Sequence, residues 1–428
     1  MRLQDEGSHC LQPDADLLER RTRISTQIHS SVLRSSVFAA VALLLSCAPA
    51  VCGAQAQPTE LSLVDEVLSA KSIPSDIFAA TFLAQIPASQ VTELRDQLIA
   101  QLGTFVSATG SNGQYAGAFT HGRLTVLIHL DASGKIDGLR FLNPIVIGLS
   151  LQDALAPFQA LPGSTSYLVV KNGAELQAFN QSQALGVGST FKLAVLNALV
   201  RQIADGRRRW SDVVYLKRSW KSLPSGVYQT WPDGTALTLQ TLAAEMISVS
   251  DNTAADALAS IVGRGAIVPF ASGNEPFLTT REMFTLKSTE GATLRQRYIA
   301  GSMSVRRAVI ARVDQLPLPT IGELDTDPAL SVIEWHYTNR ELCKLMAGVQ
   351  SLPLMSINPG VASPSQWKHI AYKGGSDWGV ISMTTWLVSP TGTTYCVSAS
   401  WNSTNAPIDE TKFEALYQTL LSTLANQH

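Results

Sequence analysis

Apolar positions recur along this chain at two periods, and each change of period marks an element. Leu94, Leu98 and Leu102 fall at helical spacing, with Ser89 nearby as an N-cap. Beyond Gly103 the texture becomes strand-like: 123–130 and 135–142 read as strands around the turn Asp131-Ala132-Ser133-Gly134. A helix is predicted over 151–161, closed by Pro162-Gly163, and two strands over 166–171 and 175–179. The intervening Asn172-Gly173 is a hairpin turn signal. Residues 193–200 read LAVLNALV, apolar on nearly every side, as expected of a buried helix. Two helical stretches flank Ser250-Asp251-Asn252, and 380–388 reads as a strand. The pattern predicts a small α+β cone or roll over 57–147, followed by a larger mixed α/β unit over 148–428.

Composition narrows this further. The 428 residues suit two domains, and 45% hydrophobic against 15% charged residues excludes wholesale disorder. Lys plus Arg number 32 and Asp plus Glu 34, with no basic block, so nucleic acid is not an expected partner. None of the seven His stands at metal-ligand spacing from another, which argues against a zinc hydrolase. Residues 1–56 read as a leader: Arg34, the apolar run 37–45 (VFAAVALLL) and Ala54-Gln55-Ala56 have the order of a secretory signal. That run is too short to span a bilayer. Leu44-Leu45-Ser46-Cys47 resembles a weak lipobox, which makes Cys47 a candidate lipid anchor. The expectation is an exported protein, periplasmic or extracellular. Only Cys343 and Cys396 lie beyond the leader, and export permits a disulfide between them without establishing one.

Three motifs carry candidate chemistry. Ser189-Thr190-Phe191-Lys192 follows Gly186 and Gly188 and opens the buried helix. Ser189 would sit at a helix N-terminus, where free N–H groups favour negative charge, with Lys192 one turn on. A lysine in a dry site loses basicity and can serve as the base that a serine nucleophile needs. Ser365-Gln366-Trp367-Lys368 fits the same pattern and is read as coincidence. Ser250-Asp251-Asn252 reads as a helix cap, or as a hydroxyl for proton relay beside an amide that holds a substrate carbonyl. Lys373-Gly374-Gly375-Ser376 reads as a surface turn, or as an edge strand whose glycines admit a substrate backbone.

Order and spacing join them: 61 residues separate Ser189 from Ser250, and 123 separate Ser250 from Lys373. Ser-x-x-Lys, Ser-Asp-Asn and Lys-Thr-Gly are the set of the penicillin-recognising serine hydrolases, and Lys373-Gly374-Gly375 stands in the third place. Residues from about 149 to 428 resemble a class A serine β-lactamase, and 246–255 (MISVSDNTAA) is close to that family's wording. The resemblance implies an α/β (α+β) sandwich with a five-stranded antiparallel sheet. The segment before it resembles a ketosteroid-isomerase or cystatin-type cone. That two-domain layout is similar to one encoded in the clavulanic acid cluster.

The resemblance also implies roles. Ser189 would be acylated, Lys192 would accept its proton, and Ser250 would pass a proton to the leaving nitrogen. Asn252 would hold the substrate amide, Lys373 its carboxylate, and Gly375 would allow its approach. The N–H groups of Ser189 and Ser376 would form the oxyanion hole. The implied substrate is a β-lactam or a related small acyl compound, with no metal and no organic cofactor; the oligomeric state stays open.

Two departures stand out. Gly374 replaces the Thr or Ser that follows the motif lysine in the family. The Glu that activates the deacylating water is matched only by Glu275-Pro276-Phe277-Leu278-Thr279, where Thr replaces Asn. Glu275 is thus the candidate deacylation base, although Thr279 and Glu282 also form a capping-box pattern there. An insertion is expected within 287–365, with Trp335, His336 and Tyr337 at the rim of the site. Other readings are a D,D-peptidase or esterase on the same site, or a β-lactam sensor that acylates without turnover.

Overall fold

A computed structural model describes residues 59–271 and 273–427. The expected leader with its expected cleavage site, and Cys47, lie outside the described residues. Helices Glu60–Ser69 and Ala88–Leu102 come first, followed by a four-stranded antiparallel meander whose strands pair in chain order. The second helix starts earlier than its leucines indicate, after Pro87, so Ser89 lies in the first turn and is not the cap. Its buried stripe is Val91, Arg95, Leu98 and Leu102, while Leu94 is exposed. Arg95 is tolerated inside because its guanidinium donates to the carbonyls of Val67 and Ala70 at the end of the first helix. The hairpin 122–146 turns where Asp131 Oδ1 accepts from the N–H groups of Ser133 and Lys135.

The larger part is built on a five-stranded antiparallel sheet in the order His369–Asp377, Val380–Val388, Thr394–Asn402, Ser164–Lys171, Ala174–Phe179. The last two strands join through Asn172 and Gly173, both at positive φ (+48° and +81°), as a two-residue hairpin requires. Alternation along one strand sends Tyr167 and Val169 to one face and Leu168 to the other. The first face is covered by helices Leu151–Gln159 and Glu410–Ala425 through Phe158, Phe413 and Tyr417. The second is covered by helices Lys192–Ala204 and Asn339–Val349. The result is a β-lactamase/transpeptidase-like sandwich with helices on both faces of an antiparallel sheet, preceded by an additional α+β region. That region has its own core, and Leu149 packs against both it and the core beneath the terminal helix.

Cys343, on the helix behind the sheet, is bonded to Cys396 on the central strand. The bond closes a loop of 53 residues between two layers. Replacing both cysteines by Ala should lower the unfolding free energy by about 2–4 kcal/mol. Urea unfolding measures this, and reductant should bring the parent onto the variant's curve; an unshifted midpoint would show that the crosslink adds nothing.

Candidate active site

Ser189 lies in the tight turn Gly188–Phe191, which runs directly into the helix Lys192–Ala204. That places Lys192 one turn beyond the serine, with its side chain wholly buried. Its Nζ lies 3.0 Å from Ser189 Oγ, 3.0 Å from Ser250 Oγ, 2.6 Å from the Ser250 carbonyl and 2.6 Å from Asn252 Oδ1. Burial, and then the nearby Lys373 ammonium, hold the Lys192 pKa well below the usual lysine range, with Asp256 and Asp251 opposing. Burial likewise pulls Lys373 down to about 7. Lys373 donates to Ser250 Oγ at 3.1 Å, so one hydroxyl bridges the two amines.

Ser250 reaches this position at a backbone cost. It sits at φ +61°, a left-handed conformation that serine rarely adopts. Its neighbours hold it there: Asp251 caps the helix Asn252–Val262 through Ala254 N–H. The other Asp251 carboxylate oxygen accepts from the N–H groups of Val227 and Tyr228. Asn252 bonds Lys192 with its carbonyl and donates to the Leu223 carbonyl with its amide nitrogen, so the whole tripeptide is tied into the fold.

The strand His369–Asp377 lies across the start of the nucleophile's turn. A Cβ on Gly375 would collide with the backbone nitrogens of Ser189 and Thr190, and one on Gly188 would crowd the Ser376 nitrogen. The two N–H groups expected to form an oxyanion hole are therefore brought together only because both positions are glycine. Gly374 has a separate cause: a Cβ there would strike the Tyr372 phenol oxygen. Burial, then Glu414, hold that phenol protonated by raising its pKa.

Ser189 opens onto two cavities. One, of about 240 Å³, is lined by Ser250, Tyr372, Gly375, Ser376 and Glu414. The other, of about 230 Å³, is lined by Asn252, Phe284, Ile321, Trp335, Ser376 and Asp377. Trp335 is held by stacking on Phe191 with centroids 3.7 Å apart, and by the bridge of His336–Tyr337 to Leu185–Gly186. Of the three expected rim residues, Trp335 alone lines the Ser189 cavities, since Tyr337 is core and His336 lines other cavities.

Ser189, Lys192, Ser250, Asn252, Lys373, Gly375 and Ser376 thus converge. Glu275 does not join them: it lines a cavity with Asn274, Pro276, Tyr298 and Arg306. Its segment is tied down where Asn274 exchanges two hydrogen bonds with the His336 backbone. The capping box of Thr279 and Glu282 is formed and starts helix Thr280–Lys287. That helix delivers a group the motifs do not announce. Lys287, almost fully buried, pairs with Glu334 at 2.5 Å and with Asp377 at 2.9 Å. Burial alone would lower the Lys287 pKa, but the two carboxylates outweigh it and the pKa is raised. Burial raises Glu334 to about 8 against the pull of Lys287, with Asp377 adding to the rise.

Residues 150–301 match the model of the beta-lactamase enzyme family. That region is β-lactamase-like. Solved structures similar to this chain include PBP-A, at 15% identity over 65% of this chain and 94% of that one, with a TM-score of 0.44. A β-lactamase from Sphaerobacter thermophilus matches at 20% identity over 65% and 97%, TM-score 0.41. One from Xanthomonas campestris matches at 15% over 64% and 96%, TM-score 0.45. No curated protein matches the chain.

Gly375→Ala should disable the site without unfolding it, because the added methyl strikes the backbone of Ser189. Labelling of Ser189 by a fluorophosphonate should fall at least tenfold while circular dichroism is unchanged; labelling at the parent rate would mean that the strand gives way freely.

Proposed function

We propose that the protein is an exported serine hydrolase that opens a β-lactam, or a related strained amide or ester, through an acyl-enzyme on Ser189. The observation that carries this reading is the single buried amine of Lys192, within hydrogen-bond reach of both Ser189 Oγ and Ser250 Oγ. A neutral Lys192 takes the Ser189 proton as Oγ attacks the carbonyl carbon. The oxyanion faces the N–H groups of Ser189 and Ser376. The proton then passes through the Ser250 hydroxyl to the leaving nitrogen, with Lys373 hydrogen-bonded to that hydroxyl at 3.1 Å and orienting it. Lys373 and the Tyr372 phenol are the groups available to a substrate carboxylate. Reading residues 1–56 as an export leader accords with the oxidised Cys343–Cys396 pair, a bond typical of oxidising compartments.

A second reading, acylation with little turnover, is favoured by the placement of Glu275 in a different cavity from Ser189. Nitrocefin separates the two: steady hydrolysis supports the hydrolase, and a stoichiometric burst followed by a flat phase supports the sensor.

Ser189→Ala should give no adduct by mass spectrometry after incubation with nitrocefin, and an adduct of parental stoichiometry would remove Ser189 as the nucleophile. Lys192→Ala keeps the hydroxyl but loses its base, so acylation should slow by about 10²–10⁴-fold; a parental rate would exclude Lys192 from activation.

The pH dependence of acylation has a definite sign. Both lysines are held below their unfolded values, so each takes up a proton as pH falls, Lys373 at about 7. Charging the pair removes the base, so the single-turnover acylation rate should fall as pH drops through the neutral region. A rate independent of pH from 6 to 9 would contradict a lysine base.

A further inference from the structure

Beside Ser189 lies a cluster that the acylation step does not use. Asp377 follows Ser376 at the end of the edge strand and lines the cavity shared with Ser189 and Asn252. Its carboxylate accepts from Trp378 N–H at 2.7 Å and from Lys287 at 2.9 Å, and a tenth of its side chain stays exposed. Behind it stands Glu334, whose side chain has no exposure. Glu334 Oε1 accepts from Lys287, and no donor reaches Oε2 among the described residues. Instead the Asp377 carboxyl faces Glu334 across the same ammonium.

Two carboxylates and one ammonium in a dry site would leave an uncompensated negative charge. Such a pair holds one proton between its members and titrates as a unit. Lys287 is the charged group that faces the pair, and the His336 ring contacts the Glu334 backbone carbonyl at 2.9 Å.

We propose that Asp377 and Glu334, which both line this cavity, form a proton-sharing carboxyl pair in which Asp377, the member whose side chain keeps some exposure, takes the proton of the water that releases the acyl group from Ser189. The step rests on the acyl-enzyme reading above. Water oxygen bonds to the ester carbon as its proton passes to Asp377. The tetrahedral intermediate then expels Ser189 Oγ, which recovers that proton from the pair, and the product leaves as the acid. Glu334 borders the same cavity, but its side chain is enclosed, so it is a positioning residue that sets the charge of Asp377. The pair does in this cavity what the sequence assigned to Glu275.

The test uses the full chain and nitrocefin, with adduct mass and the acylation and deacylation rates measured separately from pH 5 to 10. Asp377→Asn should still accumulate the Ser189 adduct, and its deacylation should slow by about 10²–10⁴-fold. The parent's deacylation should rise with pH through a midpoint near 8 as the shared proton leaves. Glu334→Gln leaves Asp377 with Lys287 alone, so that midpoint should move to lower pH. A merely structural loss would not move it. Glu275→Gln should deacylate as the parent does.

Parental deacylation in Asp377→Asn, or an unmoved midpoint in Glu334→Gln, would overturn the proposal. Should either variant fail to fold, the parent decides: a rise near pH 8 supports the pair, and a flat profile from 6 to 9 overturns it. If the parent forms no adduct at any pH, the acyl-enzyme reading itself has failed and the proposal with it. An adduct without the pH-dependent release sinks the pair alone.

Discussion

Everything in the site is arranged around one buried amine. Lys192 is enclosed by the helix that begins at its own backbone and by the Ser250–Asn252 turn, and it accounts for its hydrogens with four oxygen atoms. A charged ammonium there lacks bulk solvation, whereas a neutral amine still has hydroxyls to bond. The enclosure that makes the lysine a base also fixes the two serines at bonding distance from it. Burial, basicity and geometry are one constraint here, and moving any one of the three groups would loosen the other two.

The sheet supplies what the helices cannot. Its edge strand crosses the nucleophile's turn so closely that only glycine fits at 375, and the same strand ends in Ser376 and Asp377. One extended segment thus carries an ammonium at Lys373, an amide at Ser376 and a carboxylate at Asp377, spaced by the rise of a strand. Tyr372, one residue earlier, explains why the motif lacks its usual hydroxyl. The phenol and a side chain at 374 cannot share the same space.

Much of this was legible in the sequence because it is local. Asn172-Gly173 announced its hairpin, Thr279 and Glu282 their capping box, and 193–200 its burial, each from neighbours within a few residues. The motif serines and lysines were found by order and spacing, and the fold brings them together. What the sequence could not reveal depends on distant partners. Lys287 meets Glu334 and Asp377 across 47 and 90 residues, and no spacing rule connects them. Glu275 illustrates the converse. Its wording resembles a catalytic loop, yet the hydrogen bonds of Asn274 to His336 hold that segment over another cavity. Leu94 misled for a simpler reason: it shares the helical spacing of the buried Leu98 and Leu102, yet the stripe continues through Arg95 and Val91 and leaves it exposed.

The left-handed backbone at Ser250 has an evolutionary consequence. At φ +61° glycine would rest without strain, and asparagine more easily than serine. Replacements that relax this turn would raise the stability of the fold and at the same stroke delete the hydroxyl between the two amines. A calmer backbone at this position therefore comes at the expense of the hydroxyl, so stability and the link between the two amines pull in opposite directions.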